Sequence, residues 1–427
     1  MKINELISLL DQGDADNALL SLYDTEDISF QRTRYLNAAL EFSRLFGEDR
    51  DVTVYSVSGR TEITGNHTDH NFGRVIAGSL DLDIIAFATR RNDNIICVKS
   101  QGFSEDTVNF DEYSLPDPEK FNTSAALIAG VCAKMKENGH RVGGFDAYTT
   151  SNVLKGSGMS SSAAFENMIG NILNHLYNDG ELDDLEIAMI SQYAENVFFG
   201  KPCGLMDQVA CAGGGMVSID LEDPQKPLIE KIDFDLSAAG YSLCIVNTGG
   251  NHADLGEDYT SVPAEMRAVA GFFGKTSLRQ TDEEEVMKNI PALREAVGDR
   301  AIMRALHFFG ENRRVIAIKE ALQVGNIDGF FDAILASGRS SFCYLQNAFT
   351  TKNVREQGIS LALCLAEKYL SEKKAAYRVH GGGFAGTIQV FLPKEEAAGF
   401  KKYMEAAFGQ GSCPILNIRP YGAVKVI

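Results

Sequence analysis

A chain of 427 residues is longer than one hydrophobic core usually organises, so its length favours two or more domains. Hydrophobic residues make up 44% and charged residues 23%, which is ordinary for a globular protein and excludes a disordered or fibrous one. The net charge of −18 disfavours nucleic acid and anionic membranes as partners, because both bind basic surfaces.

Cysteine usage and hydropathy predict the compartment. The eight cysteines are scattered and include no CxxC pair, which is typical of reduced thiols rather than of disulfides or a zinc site. The first apolar run, in MKINELISLL, is too short for a secretory signal. No stretch approaches the roughly 18–20 apolar residues of a membrane span. The sequence therefore predicts a cytoplasmic protein.

Helices and strands are predicted in mixed order along the first half of the chain. Residues 1 to about 48 show helical spacing of apolar residues, and Gly47 follows the last of them. From Val52 to about Val108, β-branched runs predict strands and loops. A helix over Ser124 to Glu137 and a strand over Phe145 to Thr149 come next.

The second half continues this mixture. Two helices are predicted between the glycine-rich loop near residue 156 and Phe199, and a strand follows from Tyr241 to Val246. Further helices are predicted over residues 301–322 and 327–341, before a strand at 387–392 and a short C-terminal strand. This order predicts α+β domains that meet near residue 240.

The segment from Gly59 to Arg74 is the first of four stretches that could carry chemistry. Its sequence, GRTEITGNHTDHNFGR, gathers charged, amide and imidazole side chains between apolar runs. His67, Asp69 and His70 could hold a metal ion, although no further well-spaced ligand is evident. A solvated loop is another reading. A substrate clamp fits better, since Asp and Asn accept hydrogen bonds from hydroxyls and Arg60 offers a fixed positive fork.

The second stretch is a glycine- and serine-rich loop that leads into a helix. In NVLKGSGMSSSAAF, Asn152 to Phe165, two glycines precede three serines. Such a loop directs unpaired N–H groups and the positive end of the helix dipole to one point, which suits a phosphate. It is neither a Walker A loop nor a Rossmann fingerprint. A serine-capped helix behind flexible glycines accounts for the same residues equally well.

Two shorter stretches complete the set. In GKPCGLMDQVACAGGG, Asp207 stands among small and apolar residues, so it must be paired, hydrogen-bonded or shifted in pKa. This makes Asp207 a site candidate, and a helix-capping role is the alternative. In RVHGGGFAGTIQVFL, three consecutive glycines mark either backbone that a ligand approaches closely or a simple bend.

These stretches, in this order, resemble the motifs of the GHMP kinase family, and most closely those of a divergent, bacterial-type member of its galactokinase branch. The family's G-R-x-N-x-x-G-E-H-x-D-Y corresponds to GRTEITGNHTDH from Gly59 to His70. Its G-L-S-S-S-A and G-G-G-F-G-G correspond to GMSSSA at 158–163 and GGGFAG at 381–386. The run A-E-x…C-G-I-M-D-Q of galactokinases is similar to AEN at 194–196 and CGLMDQ at 203–208.

The resemblance implies an α+β, two-domain GHMP-kinase fold with its active site in the cleft between the domains. It assigns residues 1–48 to a helical extension packed on the kinase and 49–240 to an N-terminal domain with a mixed β-sheet. Residues 241–427 are assigned to a C-terminal, ferredoxin-like α/β sandwich. The implied activity is ATP-dependent phosphorylation of galactose at its anomeric C1 hydroxyl, with Mg²⁺. The implied protein is a monomer or weak homo-oligomer.

The motif match also implies roles for individual residues. Asp207 takes or orients the proton of the attacking hydroxyl, and Arg60 lies against Asp207 and the transferring phosphoryl group. Ser162 and Glu195 hold Mg²⁺. The residues assigned to the ATP phosphates are Gly156, Ser157, Gly158, Ser160 and Ser161. The residues assigned to the sugar are Glu62, Asn66, His67, Asp69, Gly204 and Tyr259. The residues assigned to a cleft glycine loop are Gly381, Gly382 and Gly383.

Four positions depart from the family pattern. Glu62 and Asn66 stand where the family carries Asn and Glu, so the acid and the amide have traded places. We hypothesise that they still form one hydrogen-bonding unit, in which Asn66 binds a sugar hydroxyl and Glu62 orders the loop. His70 replaces the usual Tyr, and Asn251 stands near a frequent Arg. These departures leave the sugar open, with N-acetylgalactosamine and arabinose as alternatives to galactose.

Two other classes of function are alternatives to a kinase. A sugar-sensing regulator would keep the fold and lose catalysis, but the expected catalytic and metal-binding residues are all present. A metal hydrolase built on His67 and His70 would act without ATP and would bind a transition metal tightly.

Overall fold

The computed structural model of the protein describes residues 1–23, 27–153, 159–250 and 255–427. Within these ranges two β-sheets are packed among helices. None of the helices in these ranges combines the length and the hydropathy needed to cross a membrane. The predicted α+β order of the chain is confirmed.

The first sheet carries most of the residues singled out in the sequence. Its strands are β1 (Thr53–Thr64), β2 (Arg74–Arg90), β3 (Ile95–Ser100), β4 (Glu105–Asn109), β5 (Phe145–Ser151), β6 (Met216–Asp220), β7 (Leu228–Ile232) and β12 (Ala423–Lys425). The path runs β12-β1-β2-β5-β3-β4, and β6 and β7 extend it from the other part of β2. With 17 residues, β2 is long enough to pair with β6 through its first residues and with β5 through its last.

Four helical segments cover one face of this sheet. They are α4 (Ser124–Glu137), α5 (Ser161–Tyr177), α6 (Asp184–Tyr193) with the π-helical turn Ala194–Phe199, and α7 (Met206–Gly213). Met168 and Ile172 of α5 are fully buried and belong to the same cluster as Tyr55 of β1 and Ile84 of β2. The apolar spacing that predicted these helices therefore marks their buried faces.

The second sheet is antiparallel, in the order β11-β8-β10-β9. Its strands are β8 (Tyr241–Asn247), β9 (Ala376–His380), β10 (Thr387–Pro393) and β11 (Ile415–Leu416). The helices of this part are α8 (Gly256–Phe272), α9 (Glu283–Lys288), α10 (Ile290–Ala296), α11 (Asp299–Gln323), α12 (Ile327–Ser340), α13 (Gly358–Leu370) and α14 (Lys394–Phe408). Val390 and Phe391 of β10 point into different clusters, so both faces of the sheet are covered.

The assignment of residues 49–240 and 241–427 to two domains remains a proposal, and the sheets follow it with one exception. The C-terminal strand β12 pairs with β1 of the first sheet, with Lys425 opposite Tyr55. Leu80 of β2 likewise forms a bridge with Ile418. The end of the chain therefore returns to the N-terminal sheet, which links the two halves a second time.

The N-terminal helices pack on the opposite face of the first sheet. They are α1 (Ile3–Gln12), α2 (Asp16–Leu20) and α3 (Ser29–Phe46). Leu6, Tyr35 and Phe42 are fully buried in one cluster with Ile85 and Phe87 of β2. Neighbouring residues of a strand face opposite sides of the sheet. One set of β2 side chains therefore packs on the N-terminal helices, and the other set packs on α5.

A buried carboxylate, Asp83 of β2, adds a charged anchor to this packing. Its Oδ1 accepts a hydrogen bond from Arg34 Nη1 at 2.5 Å. Its Oδ2 accepts hydrogen bonds from Tyr23 at 2.5 Å and Arg419 Nη1 at 3.1 Å. Burial by itself would raise the pKa of Asp83, but the two guanidinium groups outweigh burial and lower the pKa. The extension and the C-terminus are thus joined through one ionised group.

We expect Asp83→Asn to lower the free energy of unfolding by about 3–5 kcal/mol, because two buried guanidinium groups lose their counter-charge. Denaturant titration followed by circular dichroism measures the change. Asp81→Asn is the matched control, since Asp81 forms no ion pair in the described ranges and burial raises its pKa to about 6. A loss at Asp83 no larger than the loss at Asp81 would contradict the anchor.

Candidate active site

Arg60 of β1 and Asp207 in the first turn of α7 form a two-point ion pair. Arg60 Nε and Nη2 donate to Oδ1 and Oδ2 of Asp207, both at 2.8 Å. The Ser160 hydroxyl also donates to Asp207. Burial would raise the pKa of Asp207, but the charge and hydrogen bonds of Arg60 outweigh it and lower the pKa. Asp207 is therefore a carboxylate at neutral pH, able to accept a further proton or hydrogen bond.

The residues on both sides of the glycine-rich loop pack against β1 next to Arg60. Arg60 N donates to Met159 O at 3.2 Å. A Cβ on Gly59 would approach Met159 O and the Val153 methyl groups to 3.1–3.2 Å, so a glycine lets the loop ends pack on β1. Ser160 adopts a left-handed conformation, with φ 55°, directly before α5. Gly156, Ser157 and Gly158 lie outside the described residues.

Ser162 and Glu195, the residues expected to hold Mg²⁺, lie side by side. Ser162 Oγ donates to Glu195 Oε1 at 3.1 Å, and Lys201 Nζ lies 2.9 Å from the same oxygen. Gln208 Nε2 bridges Glu195 Oε2 at 2.8 Å and Glu166 Oε2 at 3.3 Å. The site therefore places two carboxyl groups around one amide, beside a hydroxyl and an ammonium.

The donor set next to Ser162 suits a hard cation. Glu166 Oε1 is buried and has no hydrogen-bond partner in the described part of the chain. Burial, followed by the charge of Glu195, raises the pKa of Glu166 well above its usual value. Within the described ranges no three His, Cys, Asp or Glu side chains form a metal cluster. A magnesium ion here would take most of its ligands from phosphates and water, as Mg²⁺ commonly does.

Asn66 and Glu62 form the hydrogen-bonding unit that their exchange suggested, but Asn66 is fully engaged by protein. Asn66 Nδ2 donates to Glu62 Oε1 at 2.9 Å and to Gly381 O at 2.7 Å. Its Oδ1 accepts from Asn347 Nδ2 at 2.7 Å and from Ser341 Oγ at 3.3 Å. An amide has two donors and two lone pairs, so no capacity is left for a sugar hydroxyl. A direct contact between Asn66 and the sugar therefore stays a prediction, and it would require one of these bonds to break.

Glu62 is held from the second sheet. Its Oε1 also accepts from Arg378 Nη2 at 2.7 Å, and the Arg378 side chain is completely buried. The two bonds to protein thus share one carboxylate oxygen, and within the described residues Oε2 accepts none. The geometry leaves Glu62, rather than Asn66, with an acceptor for a substrate.

His67 and His70 belong to a chain of hydrogen bonds whose direction fixes their tautomers. His67 Nε2 lies 2.8 Å from Gly382 O and must carry the proton, so Nδ1 accepts from His70 Nε2 at 3.3 Å. His70 Nδ1 in turn accepts from Asn71 Nδ2 at 2.9 Å. Burial lowers the pKa of both histidines. Both are neutral, and both nitrogens of His67 bond within the protein. A contact between His67 and the sugar stays a prediction.

Asp69 and Gly204 meet close to the ion pair. A Cβ on Gly204 would collide with the carboxylate of Asp69, so only glycine allows this approach. Burial, followed by the charge of Asp207, raises the pKa of Asp69 to about 6. Two carboxyl groups from different motifs therefore share one environment next to Arg60.

Tyr259 packs on the glycine loop. Its hydroxyl donates to Gly383 O at 2.8 Å, and a Cβ on Gly382 would approach its ring to 2.7 Å. Gly381 O and Gly382 O accept the bonds from Asn66 and His67. Two of the three glycine carbonyls therefore bond to the Gly59–Arg74 segment, and the third bonds to Tyr259 of α8.

Glu311 of α11 is a buried residue that the motifs did not single out. Its Oε1 accepts from Thr64 Oγ1 at 2.9 Å, Gly65 N at 3.0 Å and Ser337 Oγ at 2.6 Å. Arg314 Nε donates to Oε2 at 2.7 Å. Burial opposes ionisation, but Arg314 and its neighbours hold the pKa of Glu311 well below its usual value. This carboxylate fixes the turn that carries Asn66 and His67.

Known proteins are similar to this chain in sequence. The profile of the GHMP kinases N terminal domain matches residues 126–215, and the galactokinase galactose-binding signature matches residues 40–90. The galactokinase of Streptomyces coelicolor is 30% identical over 372 residues, covering 86% of this chain and 91% of that protein. The chain belongs to the galactokinase family. The galactokinase of Actinobacillus pleuropneumoniae is also 30% identical over 372 residues, covering 84% and 90%.

Solved structures show that the chain has the fold of this family. The Lactococcus lactis galactokinase, solved with galactose, is similar with a TM-score of 0.77 and 23% identity, covering 92% of this chain and 100% of that one. The Methanococcus jannaschii mevalonate kinase has a TM-score of 0.58 and 15% identity, covering 87% and 98%. The two-domain GHMP-kinase fold expected from the motifs is thereby confirmed.

In this galactokinase-family chain we expect Glu311→Gln to lower the free energy of unfolding by about 3 kcal/mol at pH 7, since Arg314 loses its counter-charge and an amide N–H would face donors. Denaturant titration measures the loss. Glu320→Gln, on an exposed position of α11, is the control.

The difference between wild type and Glu311→Gln should also depend on pH. A carboxylate with a depressed folded-state pKa stabilises above its unfolded pKa of about 4.3 and loses that contribution as pH falls further. The two proteins should therefore converge below about pH 4. A difference that is constant from pH 7 to pH 3 would show that the Glu311 charge is not what holds the turn.

Proposed function

We propose that the protein transfers the γ-phosphoryl group of ATP to the C1 hydroxyl of galactose, giving galactose 1-phosphate and ADP, the first committed step of galactose catabolism. The observation that carries this proposal is the Arg60–Asp207 ion pair beside Ser162 and Glu195, in a chain whose relatives are galactokinases. ATP use follows from membership of the kinase family.

Asp207 is the proposed acceptor of the proton of the attacking hydroxyl. Its lowered pKa makes it a weak base, which suffices because phosphoryl transfer has a loose transition state that needs positioning more than deprotonation. Arg60 fixes the Asp207 carboxylate at two points and places a positive charge next to the transferring group. One such preorganised charge is commonly worth about 3 kcal/mol in the transition state.

Ser162 and Glu195 are the proposed holders of Mg²⁺, and Gln208 keeps the Glu195 carboxylate oriented. When bound, the metal would neutralise charge on the nucleotide phosphates. The backbone of the loop that includes Ser160 and Ser161 is proposed to receive those phosphates at the N-terminus of α5.

The proposed sugar site uses acceptors that the protein leaves open. Asp69 and Glu62 would accept hydrogen bonds from hydroxyls, and Gly204 provides space next to Asp69. Asn66, His67 and Tyr259 would act as positioning residues, because their polar atoms are bonded to the glycine loop. This division replaces the expected direct contact of Asn66 with the sugar.

The setting of the proposed reaction follows from bulk properties. All eight cysteines are unpaired, which fits the reducing cytoplasm. The net charge of −18 supports small molecules, rather than nucleic acid or membranes, as partners. We propose a monomer or weak homo-oligomer.

The test is a panel of neutral sugars with MgATP, scored by ADP release and by the identity of the sugar phosphate. We expect galactose to be phosphorylated at C1 with the highest kcat/KM. In Asp207→Asn we expect kcat to fall by about 10²- to 10⁴-fold, the usual contribution of a positioned proton acceptor.

The matched control is Asp220→Asn, which alters another arginine-paired aspartate, bonded to Arg74 and Arg279. Its kcat should stay within about threefold of wild type, as expected for a partly exposed ion pair that contacts none of the proposed catalytic residues. A higher kcat/KM for N-acetylgalactosamine or arabinose would reassign the sugar. Sugar binding without ADP release would make the protein a sensor and overturn the kinase.

A further inference from the structure

One ion pair at the site has no role in the mechanism above. Lys201 lies in the loop between the π-helical turn and α7, and its Nζ is 2.9 Å from Glu195 Oε1. The same oxygen accepts the hydrogen bond from Ser162. The Glu195 side chain is only 2% exposed, whereas that of Lys201 is 59% exposed. A lysine whose side chain is largely exposed thus bonds to the carboxylate oxygen that would face the metal.

The charges of the neighbouring groups explain why the ammonium lies there. Asp207 is balanced by Arg60, and Glu166 is kept from ionising by burial and by Glu195. Glu195 is the remaining carboxylate of this cluster, and Lys201 is the cation that balances it. Lys201 also feels the charge of Asp207, so it lies within electrostatic reach of both functional acids.

We propose that the Lys201 ammonium occupies the metal-binding oxygen of Glu195 until the metal–nucleotide complex binds. Lys201 then moves and binds the phosphate oxygens of the nucleotide. The proposal rests on the proposed function, in which Glu195 holds Mg²⁺. A divalent cation at Glu195 Oε1 would repel an ammonium bonded to the same oxygen. Lys201 must then move, and its flexible stem and exposure permit this.

The local charges favour the nucleotide phosphates as the groups to which the Lys201 ammonium moves. The polyphosphate brings the only new negative charge into the cluster, and it arrives together with the metal. Lysine binds phosphate as a mobile point charge with three donors. Together with Arg60 it would flank the transferring group with a second cation, which lowers the cost of the charge that the nucleotide brings in.

A simple surface ion pair is the competing explanation, and the two differ in what Lys201→Met does to two ligands. If Lys201 only neutralised Glu195, its loss would tighten metal binding and would leave MgADP binding unchanged or tighter. If it only supported the loop, its loss would weaken both ligands. The proposal requires Lys201→Met to bind the metal more tightly and MgADP more weakly, because the variant removes both a competitor of the metal and a ligand of the phosphate.

The experiment titrates full-length wild type and Lys201→Met with Mn²⁺ alone, followed by electron paramagnetic resonance, and with MgADP, followed by calorimetry. We expect Mn²⁺ to bind about three- to fivefold more tightly to the variant, the range of a half-exposed ion pair. We expect MgADP to bind about tenfold more weakly, as for loss of one charged hydrogen bond. Lys201→Arg should restore MgADP binding to within about threefold of wild type.

Lys226→Met serves as control, because Lys226 is an exposed lysine between β6 and β7 and should change neither titration. Equal or weaker Mn²⁺ binding, or unchanged MgADP binding, in Lys201→Met would overturn the proposal. No sugar is present in these titrations, so a different sugar specificity would leave the result intact. In steady-state kinetics Lys201→Met should lower kcat/KM for ATP and leave KM for the sugar unchanged.

Discussion

The ion pair between Arg60 and Asp207 is the constraint on which the site depends. The two residues are 147 positions apart in the sequence, so their pairing requires β1 to lie next to the first turn of α7. Because each guanidinium nitrogen meets its own carboxylate oxygen, the pair fixes orientation as well as charge. Ser160, Asp69 and the loop flanks are then positioned relative to a carboxylate that cannot rotate.

A buried polar junction explains why so many polar residues follow Arg60 along β1. Thr61 bonds to His380 and Gln389, Thr64 to Glu311, and Asn66 to Asn347. Their partners all come from the second half of the chain. Most of this motif therefore joins the two halves of the molecule, and a smaller part of it is left for the proposed substrate. Unpaired buried polar groups are costly, so these bonds matter to the junction, although Asn347 Oδ1 and Gln389 Oε1 are buried without a partner in the described ranges.

Local spacing predicted the helices and strands, and the resemblance to the family predicted which residues lie together. Glycine and serine placement marked the start of α5, and the motifs brought Arg60 near Asp207. The role of Asn66 could not be predicted, because it depends on Asn347 and Ser341 across the fold. Glu311 and Lys201 were missed for a related reason. A charged residue on a long helix or in a short loop has the same sequence signature whether it is solvated or bonded in the interior.

The most direct test is a crystal structure of the protein with galactose and a non-hydrolysable MgATP analogue. We expect the C1 hydroxyl oxygen to lie about 3 Å from an Asp207 carboxylate oxygen and in line with the γ-phosphorus. Arg60 should still hold Asp207 at both oxygens. A sugar bound with another hydroxyl towards the γ-phosphate, or with Asp207 turned away from it, would contradict the proposed role of Asp207.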